Sequence, residues 1–223
     1  MIPENSLPNL AGDLVRIHKA ISRGLFVGTT NGAKFMREGF PDTGIEQGYA
    51  RYVLSLAIVL GAHHGGEDEI VFPALKARLP AAPYSRLAND HQYVEASLGA
   101  VRNAIGDVAG DTAKVGLSVV QEGLTRVSAV WPRHIQLEEK HFAEEAIGAV
   151  MTPEEQAQVS VAMAKHSQAH ATPPYLALPF VLFNLAAEDR ASMAETLPRV
   201  VAEQLVSKEW KDQWMPMKPF LLD

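Results

Sequence analysis

The 223-residue sequence contains no cysteine. That excludes disulfides, thiolate zinc sites, iron–sulfur clusters and thiol nucleophiles together, so any metal must be held by nitrogen and oxygen. Strand signals are also scarce. Period-two alternation hardly occurs, and Asn31-Gly32 falls in what reads as a glycine-rich connector, not a hairpin. No basic cluster is present and the net charge is −6, which argues against nucleic acid or an anionic membrane as partner. The apolar run Val53 to Ala62 stops at His63-His64, well short of the roughly 20 residues that a membrane-spanning helix needs. The segment MIPENSLPNLAGDL has neither the positive nor the apolar region of a signal peptide, so the expected location is the cytoplasm.

What the chain has is helical periodicity, with a hydrophobic content of 47% that suits a folded globule. The pattern predicts an all-α fold. A first helix begins near Leu10 with Leu14, His18, Ile21 and Leu25 on one stripe, and a loop follows from Gly39 to Gly48. A second helix is expected from Tyr49 to Leu79, carrying Val53, Leu56, Leu60, His63, Glu67, Ile70 and Ala74 inward, with a kink at Pro73. A third runs from Ser85 to Ile105 and places Leu87, His91, Val94, Leu98 and Val101 inward. The fourth runs from Thr112 to Ala149, with Val120, Leu124, Val127, Trp131, His134, Glu138 and His141 on its stripe and a bend at Pro132. Residues 1–150 are expected to form this bundle. Residues 151–223 are expected to add C-terminal helices to the same globule: one starting at the capping-box sequence Thr152-Pro153-Glu154-Glu155, a short apolar element from Tyr175 to Leu185, and a last helix from Ala187 to Trp210.

The histidines and glutamates carry the chemistry. Their order is His18, then His63 with Glu67 four residues on, then His91, then His134 with Glu138 four residues on. A step of four places both side chains on one helix face. All six lie in register with the apolar stripes, and no lysine or arginine shares the inward register near either glutamate. A buried ionised carboxylate is costly unless something positive compensates it. Two carboxylates from opposite helices can bridge a pair of metal ions while imidazoles fill the outer positions. Six nitrogen and oxygen donors suit a di-iron centre better than a four-coordinate structural zinc, and manganese also accepts carboxylate. A ferritin-like site is disfavoured, because it needs two Glu-x-x-His motifs and the only one here is Glu138 to His141.

The segments HHGGEDEIVFPAL and HIQLEEKHFAEE resemble the second and fourth helices of the hemerythrin-like, or HHE cation-binding, family, and the resemblance covers roughly residues 10 to 150. It implies an up-down four-helix bundle around a non-heme di-iron site, with His18, His63, Glu67, His91, His134 and Glu138 as ligands. The register that starts at His63 agrees with Leu56 and Leu60, which makes His64 a neighbour of the site; His141 is a further candidate one turn beyond Glu138. Where the oxygen-carrying hemerythrins have a second histidine on the third helix, this chain has Glu95, which either joins the site or faces solvent.

A di-iron site with an open position reacts with dioxygen, nitric oxide or peroxide. The sequence therefore predicts binding, sensing or detoxification of such a molecule, with no catalytic residue identified. The alternative is an oxidase or oxygenase whose small organic substrate sits in a pocket partly formed by the C-terminal helices. His166 and His170, four apart in that region, read as an exposed helix face.

Overall fold

A computed structural model describes residues 9–108 and 113–223. They are helical almost throughout, with no strand among the described residues. Helix α1 (Leu10–Glu38) is capped by the Asn9 side chain, which accepts a hydrogen bond from the Gly12 N–H at 3.0 Å. It ends at Gly39, whose φ of 78° lies in the left-handed region that glycine enters without strain. Asn31-Gly32 is therefore helix and not connector. Gly32 is needed there because a Cβ would lie 2.4 Å from the Tyr49 hydroxyl oxygen, and the Tyr49 O–H donates to the Gly28 carbonyl at 2.9 Å.

Helix α2 (Thr43–Gly66) starts earlier than the sequence predicts, because the Asp42 side chain caps it at the Ile45 N–H. It continues into a π turn (Glu67–Val71) and then α3 (Phe72–Lys76). Pro73 has no N–H to donate to the preceding turn, and the wider turn just before it, with the Phe72 N–H bonded to the Glu67 carbonyl, absorbs the mismatch. That turn inserts one residue into the helical register. Beyond Glu67 the buried positions become Val71 and Leu75, instead of the expected Ile70 and Ala74.

Helix α4 spans Tyr84–Ala104 and α5 spans Ala113–His141, running through Pro132. The expected helix start at Thr112 lies outside the described residues. α5 also stops short of Ala149; the chain turns after His141 and forms the short α6 (Glu144–Gly148). Helices α1, α2, α4 and α5 pack around a common axis, with α5 against both α1 and α4.

The C-terminal region begins with α7 (Pro153–His170), where Thr152 and Glu155 close the predicted capping box. Then come α8 (Pro174–Phe183) and α9 (Ala187–Glu195). The single helix expected from Ala187 to Trp210 is broken near Pro198, after which a π-helical segment (Val201–Glu209), α10 (Lys211–Trp214) and a 3-10 segment (Met215–Phe220) complete the chain. Phe180, Leu185, Trp214, Met217 and Phe220 share one apolar core with Ile21, Leu25, Tyr52, Leu56, Leu98 and Leu124. A polar staple reinforces this junction: the Tyr52 O–H donates to the Asn184 side-chain oxygen at 2.7 Å, and the Arg23 guanidinium donates to Asn184 and, at 2.9 Å, to the Phe220 carbonyl.

A second apolar cluster, with Leu10, Leu14, Val71, Phe72, Leu75, Leu87, Phe142 and Ile147, closes the other end of the bundle. Between the two clusters each long helix contributes one layer of polar residues to the interior: His18 from α1, His63 and His64 from α2, His91 from α4, and His134 and Glu138 from α5, with Glu67 at the start of the π turn. No helix among the described residues is long and apolar enough to cross a membrane.

Candidate metal centre

The seven residues of this layer are between 1% and 4% exposed. Their donor atoms fall into two groups, each lying within 4.8 Å: His64, Glu67, His91 and His134 form one, and His18, His63, Glu67 and Glu138 form the other. All six histidines and glutamates on the inward register thus converge. His64 also enters, as a full member of the first group, where the sequence reading leaves it as a neighbour. Consecutive helical positions differ by about 100°, so His63 and His64 point to opposite sides of the Glu67 carboxylate.

Both glutamates straddle the two groups. Glu67 Oε1 is 3.3 Å from His63 Nε2, and its Oε2 is 3.4 Å from His91 Nε2. Glu138 Oε2 is 3.2 Å from His18 Nε2, and its Oε1 is 3.4 Å from His134 Nε2. Among the described residues, Glu67 Oε2, both Glu138 oxygens and the Nε2 atoms of His18, His63 and His64 have no hydrogen-bond partner. Buried polar atoms are normally paired, and an unpaired one costs about 1–3 kcal/mol or more when charged. Five residues, His18, His63, His64, Glu67 and Glu138, direct unpartnered nitrogen and oxygen atoms into this layer, which is the chemistry of a cation site, and such donors suit borderline transition metals.

The electrostatics agree. Burial pushes the Glu67 carboxyl up to about 7, with the nearby Glu138 adding to the shift. Burial also raises Glu138, but the facing imidazoles of His134, His18 and His91 outweigh it and hold this carboxyl well below the usual range. Burial lowers His63 and His64 well below the ordinary histidine value, with repulsion from neighbouring imidazoles adding to it. For His91, burial is outweighed by Asp68, Glu138 and Glu67, which raise it to about 9; for His18, Glu138, Glu139 and Glu67 outweigh burial and raise it well above the ordinary value. Without a cation the layer must hold protons among its carboxylates and imidazoles, and bound metal ions replace those protons.

Carboxylates behind two of the imidazoles, those of His18 and His91, fix their orientation. His18 Nδ1–H donates to Glu139 at 3.1 Å, His91 Nδ1–H donates to Asp68 at 3.0 Å, and His134 Nδ1 lies 3.6 Å from Asp90. A proton held on Nδ1 leaves Nε2 free to face the centre. Glu139 follows the inward Glu138 directly in the sequence, and helical periodicity alone gives it no role. The doubled acids Glu67-Asp68 and Glu138-Glu139 are the signal that does: in each, the first acid faces inward and the second reaches behind a histidine on another helix. Trp131 closes the layer on the apolar side, with its ring centroid 5.6 Å from that of His18 and 5.8 Å from that of His134, and its indole N–H donates to Ser22 at 2.8 Å.

Glu95 and His141 belong to neither group. Glu95 is exposed, pairs with Arg102 and lines the wall of the groove that reaches His64 and His91. His141 is half-buried at the end of α5, where the helix stops. His166, expected on an exposed face, is 8% exposed and lies against Gly65 and Gly66, while His170 is exposed. Among the described residues, openings reach the layer from two sides. A groove of about 690 Å³ exposes the edges of His64 and His91 and is walled partly by α7; a smaller cavity of about 270 Å³ reaches His18 and Glu138.

No curated protein and no solved structure was found to match the chain. A family model does: residues 10–146, which include every residue of the buried layer, match the one described as the Hemerythrin HHE cation binding domain, and the chain belongs to that family.

Proposed function

We propose that the layer holds two iron ions and that the protein binds or reacts with dioxygen, nitric oxide or peroxide. The observation that carries this reading is the pair of carboxylates, Glu67 and Glu138, each reaching both donor groups from facing helices. In this reading, His64, His91 and His134 would hold one ion and His18 and His63 the other, with Glu67 and Glu138 within reach of both groups. Bound there, the iron pair would supply redox chemistry toward a small oxygen- or nitrogen-containing molecule. The protein's own contribution is geometric and electrostatic. Asp68 and Glu139 keep the Nε2 atoms of His91 and His18 directed inward, the two apolar clusters and Trp131 exclude bulk water, and the carboxylates offset the charge of the ions.

Elemental analysis of the purified protein tests the first part, with two iron ions per chain expected. Absorption spectra of the reduced protein mixed with oxygen, nitric oxide or peroxide test the second. No more than trace metal after reconstitution with ferrous iron would remove the proposal.

The groove favours a second reading. Its volume of about 690 Å³ lies within the usual range of small-molecule sites. His64 and His91 are only 4% and 3% exposed at its floor, so an organic molecule there meets imidazole edges, not the centre of the layer. An oxidase or peroxidase that takes electrons from a small organic donor fits this arrangement. Peroxide consumption that requires an added organic reductant would favour it over gas binding.

A further inference from the structure

The region beyond the family match holds a histidine pair that the buried layer does not use. His166 and His170 stand one turn apart on α7, with ring centroids 4.0 Å apart and planes inclined by 22°. His166 is anchored. Its ring lies over Gly65 and Gly66, where a Cβ would come within 3.3 Å of Cε1 or Nδ1, so the glycine pair between His64 and Glu67 makes room for it. Its Nε2 is 3.4 Å from Glu69 Oε2, and among the described residues its Nδ1 has no hydrogen-bond partner. His170 Nδ1–H donates to the His166 carbonyl at 2.9 Å, which leaves Nε2 as its free donor atom to a metal. Glu69, His166 and His170 line the same groove whose floor is His64 and His91.

We propose that Glu69, His166 and His170 form a third, solvent-facing cation site at the mouth of this groove, which captures a divalent transition-metal ion and stages its passage to the buried donors. The inference rests on the reading that the buried layer holds metal. Two imidazoles one helical turn apart with a facing carboxylate are a mixed nitrogen and oxygen set that suits ferrous, manganous, cobaltous and zinc ions. Three donors leave the remaining coordination positions to water. Such a site binds weakly and exchanges quickly, as a staging site must. His166 supplies the fixed donor. Glu69, whose side chain is 67% exposed, is free to turn onto an arriving ion, and the exposed His170 offers it Nε2. The buried donors cannot meet a fully hydrated ion, being no more than 4% exposed, so the ion has to exchange water for protein donors in steps. The groove mouth is where the first exchange is geometrically available.

The test uses Co(II) with the full chain. In calorimetric titration, protein whose buried layer is already filled should take up one further, weaker Co(II) ion, and His170→Ala and Glu69→Gln should abolish that uptake. In stopped-flow absorption, metal-free His170→Ala should fill the buried layer several-fold more slowly than the parent, with equal final occupancy and equal Tm. Because His170 is exposed, this variant avoids the packing loss that His166→Ala would cause. A filled parent protein that takes no further ion, or a His170→Ala variant with unchanged loading rate, overturns the proposal. Absence of Co(II) from the buried layer, with the weak ion still seen by titration, would instead sink the reading of the buried layer.

Discussion

His63 and His64 are neighbours in sequence, yet their imidazoles enter different donor groups, with ring centroids 5.6 Å apart and planes inclined by 38°. His63 faces His18, and His64 stacks on His91 at 4.0 Å. The Glu67 carboxylate lies between the two sides. One helix turn thus furnishes a donor to each group and a carboxylate common to both.

This division predicts that His63→Ala and His64→Ala weaken different ions. Each variant should retain about one metal ion per chain after mild dialysis, with distinct spectra, because each loses one of four donors in one group only. Identical spectra and equal loss of both ions from the two variants would contradict the separate groups.

Glu67→Ala and Glu138→Ala should behave differently from the histidine variants, since each carboxylate reaches both groups. Loss of either removes a negative charge that offsets two ions. Metal content should fall below one ion per chain in each case, and metal-free Glu67→Ala should be no less stable than metal-free parent. The second expectation follows because burial and the nearby Glu138 raise the Glu67 carboxyl, so its charged form destabilises the empty layer. Full occupancy in either variant would show that the carboxylate is not shared.

Glu95→Ala should leave metal content and spectra unchanged. Its pairing with Arg102 is on the surface, where such a pair contributes about 0–1 kcal/mol and the Glu95 side chain is 55% exposed. A changed spectrum in the metal-loaded variant would return Glu95 to the site.

Most of the buried layer was legible because helical spacing and apolar register carry the same information. His18, His63, Glu67, His91, His134 and Glu138 each continue a stripe of leucines and valines, so a residue's phase predicts its direction. The phase argument fails where the helix departs from regularity or where a site is wider than one stripe. The π turn before Pro73 moves the buried positions from Ile70 and Ala74 to Val71 and Leu75, which no local spacing reveals. His64 lies off the stripe by one position and so reads only as a neighbour of the site, whereas the layer takes donors on either side of Glu67. His166 was hidden for a different reason. Its burial comes from Gly65 and Gly66, about a hundred residues earlier in the chain, and such a contact leaves no periodic trace in its own helix.

The last prediction concerns pH and separates the empty from the filled layer. In the folded metal-free protein His91 holds its proton up to about 9, and His18 is likewise raised; unfolded, both release it near 6.5. Between pH 7 and 9 the folded state therefore binds more protons than the unfolded state, and stability falls as pH rises. His63 and His64 are lowered, so they are neutral when folded; unfolded they keep a minority of their protons at pH 7, and their opposing slope is confined to the start of the window. Glu67, raised to about 7, has released most of its proton by the middle of the window, and where it still holds one its slope has the same sign. The Tm of metal-free protein should thus decline from pH 7 to pH 9. Bound metal ions already replace the protons on the inward-facing atoms, so the metal-loaded protein should show a much smaller decline. Thermal unfolding followed by circular dichroism at both pH values, with and without metal, gives the comparison. Parallel declines in the two forms would mean that the metal does not occupy the layer built by His18 and His91.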